Sequence, residues 1–322
     1  MALSRLTGPR FLEPHQRDKV SAATLEKYKK ELVPFTEWTI ANRYAPETAE
    51  EWDDLLVEYL YGRPNLTRGK FNSLVSGVEF FFQRLKGKLS WSHGVLSGWE
   101  TGASVRHTVP LGKGVSRLIL TYFANWGYTR LGIGLVLQTE TGLRPSELLR
   151  LRPEDFLFPE EEGAKLGTRP LRIGLGIRGG TKVKRAQFVL LDQRCWRLVR
   201  VLRVVKMMTP VGLLMFPYSY TTLRTLLRRV EAQLGLNVGW TPHSGRAGYA
   251  SDSRAEGISF EEIREGGRWQ SDSSLRRYLD IIGASSIGVA LRGIGLAPAL
   301  ELLSSEWPKW VTLASLEYNH AP

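Results

Sequence analysis

Apolar positions in the first hundred residues recur at helical spacing. Leu25, Tyr28, Leu32, Phe35 and Trp38 fall three or four residues apart with Lys and Glu between them, which predicts an amphipathic helix from Thr24. Thr48 and Glu51 stand three apart ahead of Trp52, Leu55, Leu56, Tyr59 and Leu60, the pattern of a capping box opening a second helix. Phe71, Leu74, Val78, Phe81 and Phe82 carry a third over residues 68–85. These segments predict a small helical bundle with aromatic anchors, preceded by an irregular lead over residues 1–20. Residues 86–115 are rich in Gly and Ser and lack a period, which marks a linker or long connection. The domain boundary is placed near residue 105, giving domains 1–105 and 106–322.

The second half reads differently. Helices are predicted over 116–126 and 130–140. Gly142 can then turn the chain, and Pro145 suits the first position of a new helix while holding Arg144 extended. Arg144 would thus sit at a helix N-terminus suited to an anion, with Glu147 in the first turn to complement the dipole and brace a cation. Alternation over 171–177, an Arg-Gly-Gly turn and a returning run over 181–191 predict a β-hairpin. Helices follow over 194–208 and 222–236. In the second, Leu223, Leu226, Leu227, Val230 and Leu234 form a core stripe; Arg224, Arg228 and Arg229 lie off it, as a solvated face or as phosphate contacts. The fold class is mainly α with a small antiparallel β-sheet.

Charge narrows the partner. The net charge is +12, and residues 106–278 hold 28 Lys and Arg against 15 Asp and Glu, whereas residues 1–105 hold 14 against 13. A basic excess confined to one segment points to a polyphosphate, and nucleic acid is the commonest. A single cysteine, Cys195, excludes intramolecular disulfides and Cys-based zinc clusters, and the five His show no metal-ligand spacing. No run reaches the length of a membrane span and the N-terminus lacks a hydrophobic signal core, so an intracellular, DNA-associated protein with no membrane partner is expected, in cytoplasm, nucleoid or nucleus.

The chemistry concentrates in Thr241–Asp280. The run T-P-H-S-G-R-A-G-Y followed by G-G-R-W-Q-S-D-S-S-L-R-R-Y holds His243, Arg246, Trp269 and Tyr278. His243 and Arg246 share one face if the segment after Pro242 is helical. Tyr278 ends a further apolar-periodic segment, 271–279, and follows Arg276 and Arg277.

H-x-x-R, an aromatic residue after Gly and a basic residue, and Tyr nine positions later resemble the tyrosine recombinase (phage integrase) family, as does T-G-L-R-P-S-E-L at 141–148. The resemblance implies an N-terminal core-binding domain lying across DNA, and a catalytic domain that cuts one strand, holds it as a 3′-phosphotyrosine and passes it to another 5′-hydroxyl. It implies Tyr278 as nucleophile, helped to ionise by His243; Arg144, Arg246 and Trp269 on the non-bridging oxygens; and Glu147 as support. The family carries a catalytic lysine on its hairpin. Counting back from Val189-Leu190-Leu191 puts Lys182 in that place, with Lys184 as competitor for the general acid. Arg276 and Arg277 join Arg224, Arg228 and Arg229 as candidate DNA contacts.

Three departures stand out: Ser-Gly precedes Arg246, Ala247 occupies a position where a second His is common, and Trp269 replaces His. Exchange of one phosphodiester for another conserves bond energy, so neither nucleotide, metal nor other cofactor is expected. Double-stranded DNA is the implied partner, with homo-multimers assembling on it. The apolar tail from about 283 is either docked in cis or given to a neighbouring protomer. A type IB topoisomerase-like activity and a non-catalytic, DNA-binding remnant of a mobile element remain as alternatives.

Overall fold

In the computed structural model of the chain, residues 19–102, 108–162, 170–176 and 187–279 are described, with a few positions between 287 and 311. They fall into two compact units, divided between residues 106 and 107.

The first unit contains α1 (Ala22–Ala41), α2 (Ala49–Tyr61), α3 (Arg68–Phe81) and α4 (Ser90–Gly102). Ser21 caps α1, accepting from the Thr24 amide at 3.2 Å, and the helix runs on through Pro34. The capping box expected at α2 is present: Thr48 Oγ1 accepts from the Glu51 amide at 3.2 Å and Glu51 Oε2 accepts from the Thr48 amide at 3.3 Å. Phe35, Leu56, Phe71 and Leu74 are fully buried at the centre of this unit, with Trp52 and Tyr59 packed on Phe35. The third helix stops at Phe81, and residues 83–85 form a separate 3₁₀ turn.

Within the segment expected to be a linker, residues 90–102 form helix α4, which corrects the reading of that part of 86–115. Its cap is supplied from α2. The buried carboxylate of Asp53 accepts from the Trp91 amide at 2.7 Å and the Ser92 amide at 2.8 Å. Leu89 and Leu96 anchor it in the core, which suffices for a short helix whose other face is Gly, Ser and His with an exposed Trp91.

The second unit is built around α6 (Thr129–Thr141), in which every residue except Glu140 is buried. It packs against α5 (Lys113–Asn125) and against a later helix, α10 (Ser244–Ala255). The chain leaves α6 through Gly142, at φ 64°, a left-handed conformation that a Cβ would oppose. A Cβ there would also press on the Tyr249 ring.

After α7 (Pro145–Leu148), strands β1 (Phe156–Leu157), β2 (Leu171–Leu175) and β3 (Gln187–Leu191) form an antiparallel sheet in that order. Ile173 pairs with Phe156 on one side and Val189 on the other, and all three point into the core. The two predicted strands are therefore present and paired antiparallel, each shorter than expected, and β1 adds a third that two residues of sequence could not announce. Lys182 and Lys184, assigned to the start of the returning run just past the Arg-Gly-Gly turn, lie outside the described residues. Helices α8 (Trp196–Met207) and α9 (Tyr220–Gln233) follow, the latter burying Leu223, Leu226, Leu227 and Val230 as its stripe predicts. Beyond α10 come α11 (Phe260–Gly266) and α12 (Asp272–Arg276).

Candidate active site

The loop before α10 is tied down at several points. Glu231 on α9 accepts from the Trp240 amide. Ser244 Oγ accepts from the Thr241 amide at 2.9 Å, and the Ser244 carbonyl accepts from the Leu111 amide at 2.9 Å. The α10 backbone can come this close to residues 111–112 because position 248 is Gly; a Cβ would run into the Leu111 carbonyl. His243 is thereby held at the N-cap, and Arg246 enters the helix one turn later, as the spacing predicts.

Arg246 is 1% exposed. Its Nη1 donates to the Gly142 carbonyl and its Nη2 to the Gly267 carbonyl, the second at 2.6 Å. Its guanidinium carbon lies 3.9 Å from the centre of the Trp269 ring and 5.8 Å from that of Tyr278. Two of its five N–H donors are thus committed to the backbone, leaving the rest of the fork for another acceptor. Burial, then the charges of Arg144 and Arg268, push it down to about 9, so it stays charged at neutral pH.

Trp269 and Tyr278 belong to a small satellite core with Ala250, Ile263 and Leu275, reached through α11 and α12. Trp269 stacks on Tyr249 with centroids 6.4 Å apart and 14° between planes, and meets Tyr278 edge-on at 5.6 Å. Its indole Nε1 is buried with no acceptor. A buried donor without a partner is uncommon and costly, which makes it a candidate for a ligand contact.

Tyr278 follows α12, its amide donating to the Leu275 carbonyl at 2.8 Å. The phenol oxygen lies 3.4 Å from His243 Nδ1. Burial, then Arg246 and Arg144, hold His243 below the ordinary histidine range, so the imidazole is neutral near pH 7 and able to accept the phenol proton.

Arg144 is extended, at φ −69° and ψ 148°, as Pro145 requires. The helix it opens is only four residues long, so the expectation of a helix-dipole anion site is corrected; a single turn has little dipole. Side chains place the guanidinium instead. Nη1 donates to Glu147 Oε1 at 2.7 Å and Nη2 to the Arg268 carbonyl at 3.1 Å. Burial raises the Glu147 carboxyl, but Arg268 and the bonds from Arg144 outweigh it and hold the group below its ordinary value.

The structure therefore brings together Arg144, Glu147, His243, Arg246, Trp269 and Tyr278. It adds Arg268, which the sequence reading passed over, and Tyr220, whose ring lies 6.4 Å from His243. Arg224, Arg228, Arg229, Arg276 and Arg277 are all exposed. Arg229 covers the Trp126 ring at 4.1 Å and Arg276 the Phe260 ring at 5.4 Å. Among the described residues no group of three His, Cys, Asp or Glu could hold a metal ion, and no helix is long and apolar enough to cross a membrane.

No protein-family model matches the sequence, and no curated protein matches it. Solved structures do match. The XerH site-specific recombinase, in a post-cleavage complex with a palindromic difH substrate, aligns with a TM-score of 0.53 at 14% identity, over 79% of this chain and 75% of that one. The Tn1549 transposon integrase, in complex with transposon right end DNA, gives 0.53 at 12% identity over 84% and 99%. A lambda integrase dimer bound to a COC′ core site gives 0.51 at 14% identity over 81% and 90%. The fold, mainly helical with a small antiparallel sheet, is the tyrosine recombinase fold.

Proposed function

We propose that this chain is a site-specific DNA recombinase that breaks and rejoins strands through a 3′-phosphotyrosine. The observation that carries the reading is the contact of the Tyr278 phenol with a depressed, neutral His243, beside a guanidinium, Arg246, stacked over the Trp269 ring. A nucleophile, a base and cations around the non-bridging oxygens are what attack on a phosphodiester requires, and the orphaned indole N–H offers a further donor.

In this mechanism Tyr278 Oη attacks phosphorus as its proton passes to His243. Arg144, Arg246 and the Trp269 N–H stabilise charge on the non-bridging oxygens. The bond from phosphorus to the 5′ oxygen breaks, and that oxygen takes a proton from the hairpin lysine, Lys182 or its competitor Lys184. Attack by another 5′-hydroxyl on the phosphotyrosine reverses these steps and restores the phenol. Residues 1–105 act as the core-binding domain and 106–322 as the catalytic domain, with the exposed arginines of α9 and Arg276 and Arg277 on the phosphate backbone.

The test begins with DNA recovered from the bound protein and sequenced. Inverted half-sites are expected, and nicked duplexes carrying them should trap a covalent adduct. Tyr278→Phe should abolish the adduct, whereas Tyr220→Phe should retain it. Binding with no adduct from the wild type would leave a DNA-binding protein only; adducts without transfer between two distinct duplexes would favour topoisomerase-like chemistry.

A further inference from the structure

Arg268 departs from the rest of its loop in two ways. It has φ 59°, in the left-handed region that disfavours any residue with a Cβ, where Gly would fit without strain. Its side chain is nonetheless long, charged and 7% exposed, paired with a carboxylate itself 6% exposed, the Oε2 of Glu147, at 2.7 Å. An arginine in a strained conformation and out of water is retained only where its contacts compensate.

Those contacts converge on Arg144. Glu147 divides its two oxygens, Oε1 to Arg144 Nη1 and Oε2 to Arg268 Nη2 and the Arg144 amide. The backbone carbonyl of Arg268 meanwhile accepts from Arg144 Nη2. Arg268 thus holds Arg144 twice, directly through its carbonyl and indirectly by fixing the carboxylate that Arg144 uses. Its own position also sets the residue that follows, Trp269, whose amide donates to the Arg264 carbonyl at 2.9 Å.

Resting on the recombinase reading above, we infer that Arg268 is a positioning residue: it locks the Glu147 carboxylate so that Arg144 presents its remaining donors to the scissile phosphate. The charged groups around Glu147 are Arg144 on its own turn, Arg268 from the loop after α11, and Arg246 from α10. Arg268 is the largest favourable charge among them, so its loss weakens the opposition to burial and lets Glu147 hold its proton to higher pH.

The test uses full-length protein with carbon-13 labelled glutamate, the Glu147 carboxyl signal being assigned with Glu147→Gln. The variants are Arg268→Gly, which relieves the backbone and removes the cation, Arg268→Lys, which keeps a cation, and Arg268→Gln, which keeps length without charge should the glycine variant fail to fold. A pool of nicked duplexes of randomised sequence reports covalent adducts. In Arg268→Gly and Arg268→Gln the Glu147 midpoint should rise by about one pH unit or more. Adduct yield at neutral pH should fall by up to about 100-fold. Arg268→Lys should keep the low midpoint and recover most of the yield. An unchanged midpoint, or a raised midpoint with unchanged yield, overturns the inference. Absence of adduct from the wild type would instead defeat the recombinase reading, and the midpoints would then decide alone whether Arg268 holds the Glu147 carboxylate.

Discussion

The phenol oxygen of Tyr278 and Nδ1 of His243 lie 3.4 Å apart, although 35 residues separate them in the chain. The imidazole is fixed at the N-cap of α10 and the phenol follows the five-residue helix α12, so the contact is set by two elements that share a small core with α11. Its value for chemistry depends on the imidazole being neutral.

That dependence has a sign. His243 lies below its ordinary pKa because of burial, then Arg246 and Arg144. It therefore stays neutral as pH falls through the ordinary value of about 6.5 and protonates only lower. Adduct formation should be flat near neutrality and decline only below that range, and the decline should vanish in His243→Gln, which starts from a lower rate. Over the same window the unfolded chain binds the proton first, so this group's contribution to stability is lost as pH falls. A pH profile of single-turnover cleavage checks the expectation; an acid limb above the ordinary histidine value contradicts it.

Trp269 separates a donor from a packing role. Trp269→Phe keeps much of the ring against Tyr249 and Tyr278 but deletes the unpaired Nε1. Stability should change by less than about 1.5 kcal/mol. Cleavage should slow by about 100-fold if the indole donates in the transition state. Parallel urea melts and single-turnover rates decide, and an unchanged rate would make Trp269 a core residue.

Arg246 and Arg144 should differ in the same two measurements. Arg246→Ala removes a buried donor from the carbonyls of Gly142 and Gly267, at a cost of about 1–3 kcal/mol for each acceptor left without a partner. Arg144, its side chain 18% exposed, should cost the fold less on removal while being as damaging to cleavage. Equal destabilisation by the two would mean the burial difference has no energetic weight.

Much of this was legible in sequence because the signals are local. His243 and Arg246 sit one turn apart, Thr48 and Glu51 cap α2, and Gly142, Arg144 and Pro145 dictate a turn, an extended residue and a helix start within four positions. Arg268 was illegible because a charged residue after two glycines looks solvated; only the fold brings it to Glu147 across 121 residues. Helix α4 was hidden for the same reason, since its cap comes from Asp53, 38 residues before Trp91.

Asp53 gives that explanation a test of its own. Asp53→Ala leaves the amides of Trp91 and Ser92 without their acceptor in a buried setting, and should destabilise the first unit by about 1–3 kcal/mol. Hydrogen exchange should accelerate first at the start of α4, ahead of α1 and α2. Uniform acceleration throughout the unit would mean that α4 does not depend on this cap.

Lys182 is tested by the chemistry of its leaving group. A 5′ alkoxide leaves poorly and needs a proton as its bond to phosphorus breaks. Sulfur at that bridging position leaves as a thiolate, whose conjugate acid is far stronger, so protonation becomes unnecessary. Lys182→Ala should therefore be nearly inactive on ordinary DNA and recover on the sulfur-bridged substrate. Tyr278→Phe should not recover, having no nucleophile, and Arg144→Ala or Arg246→Ala should recover little, because the non-bridging oxygens still carry charge. Lys184→Ala is the internal control, two residues further along the chain. Rescue of the Lys184 variant alone would move the acid to that position. Rescue of neither would remove both lysines from the proton transfer and leave it to His243, which already contacts the nucleophile, or to another group.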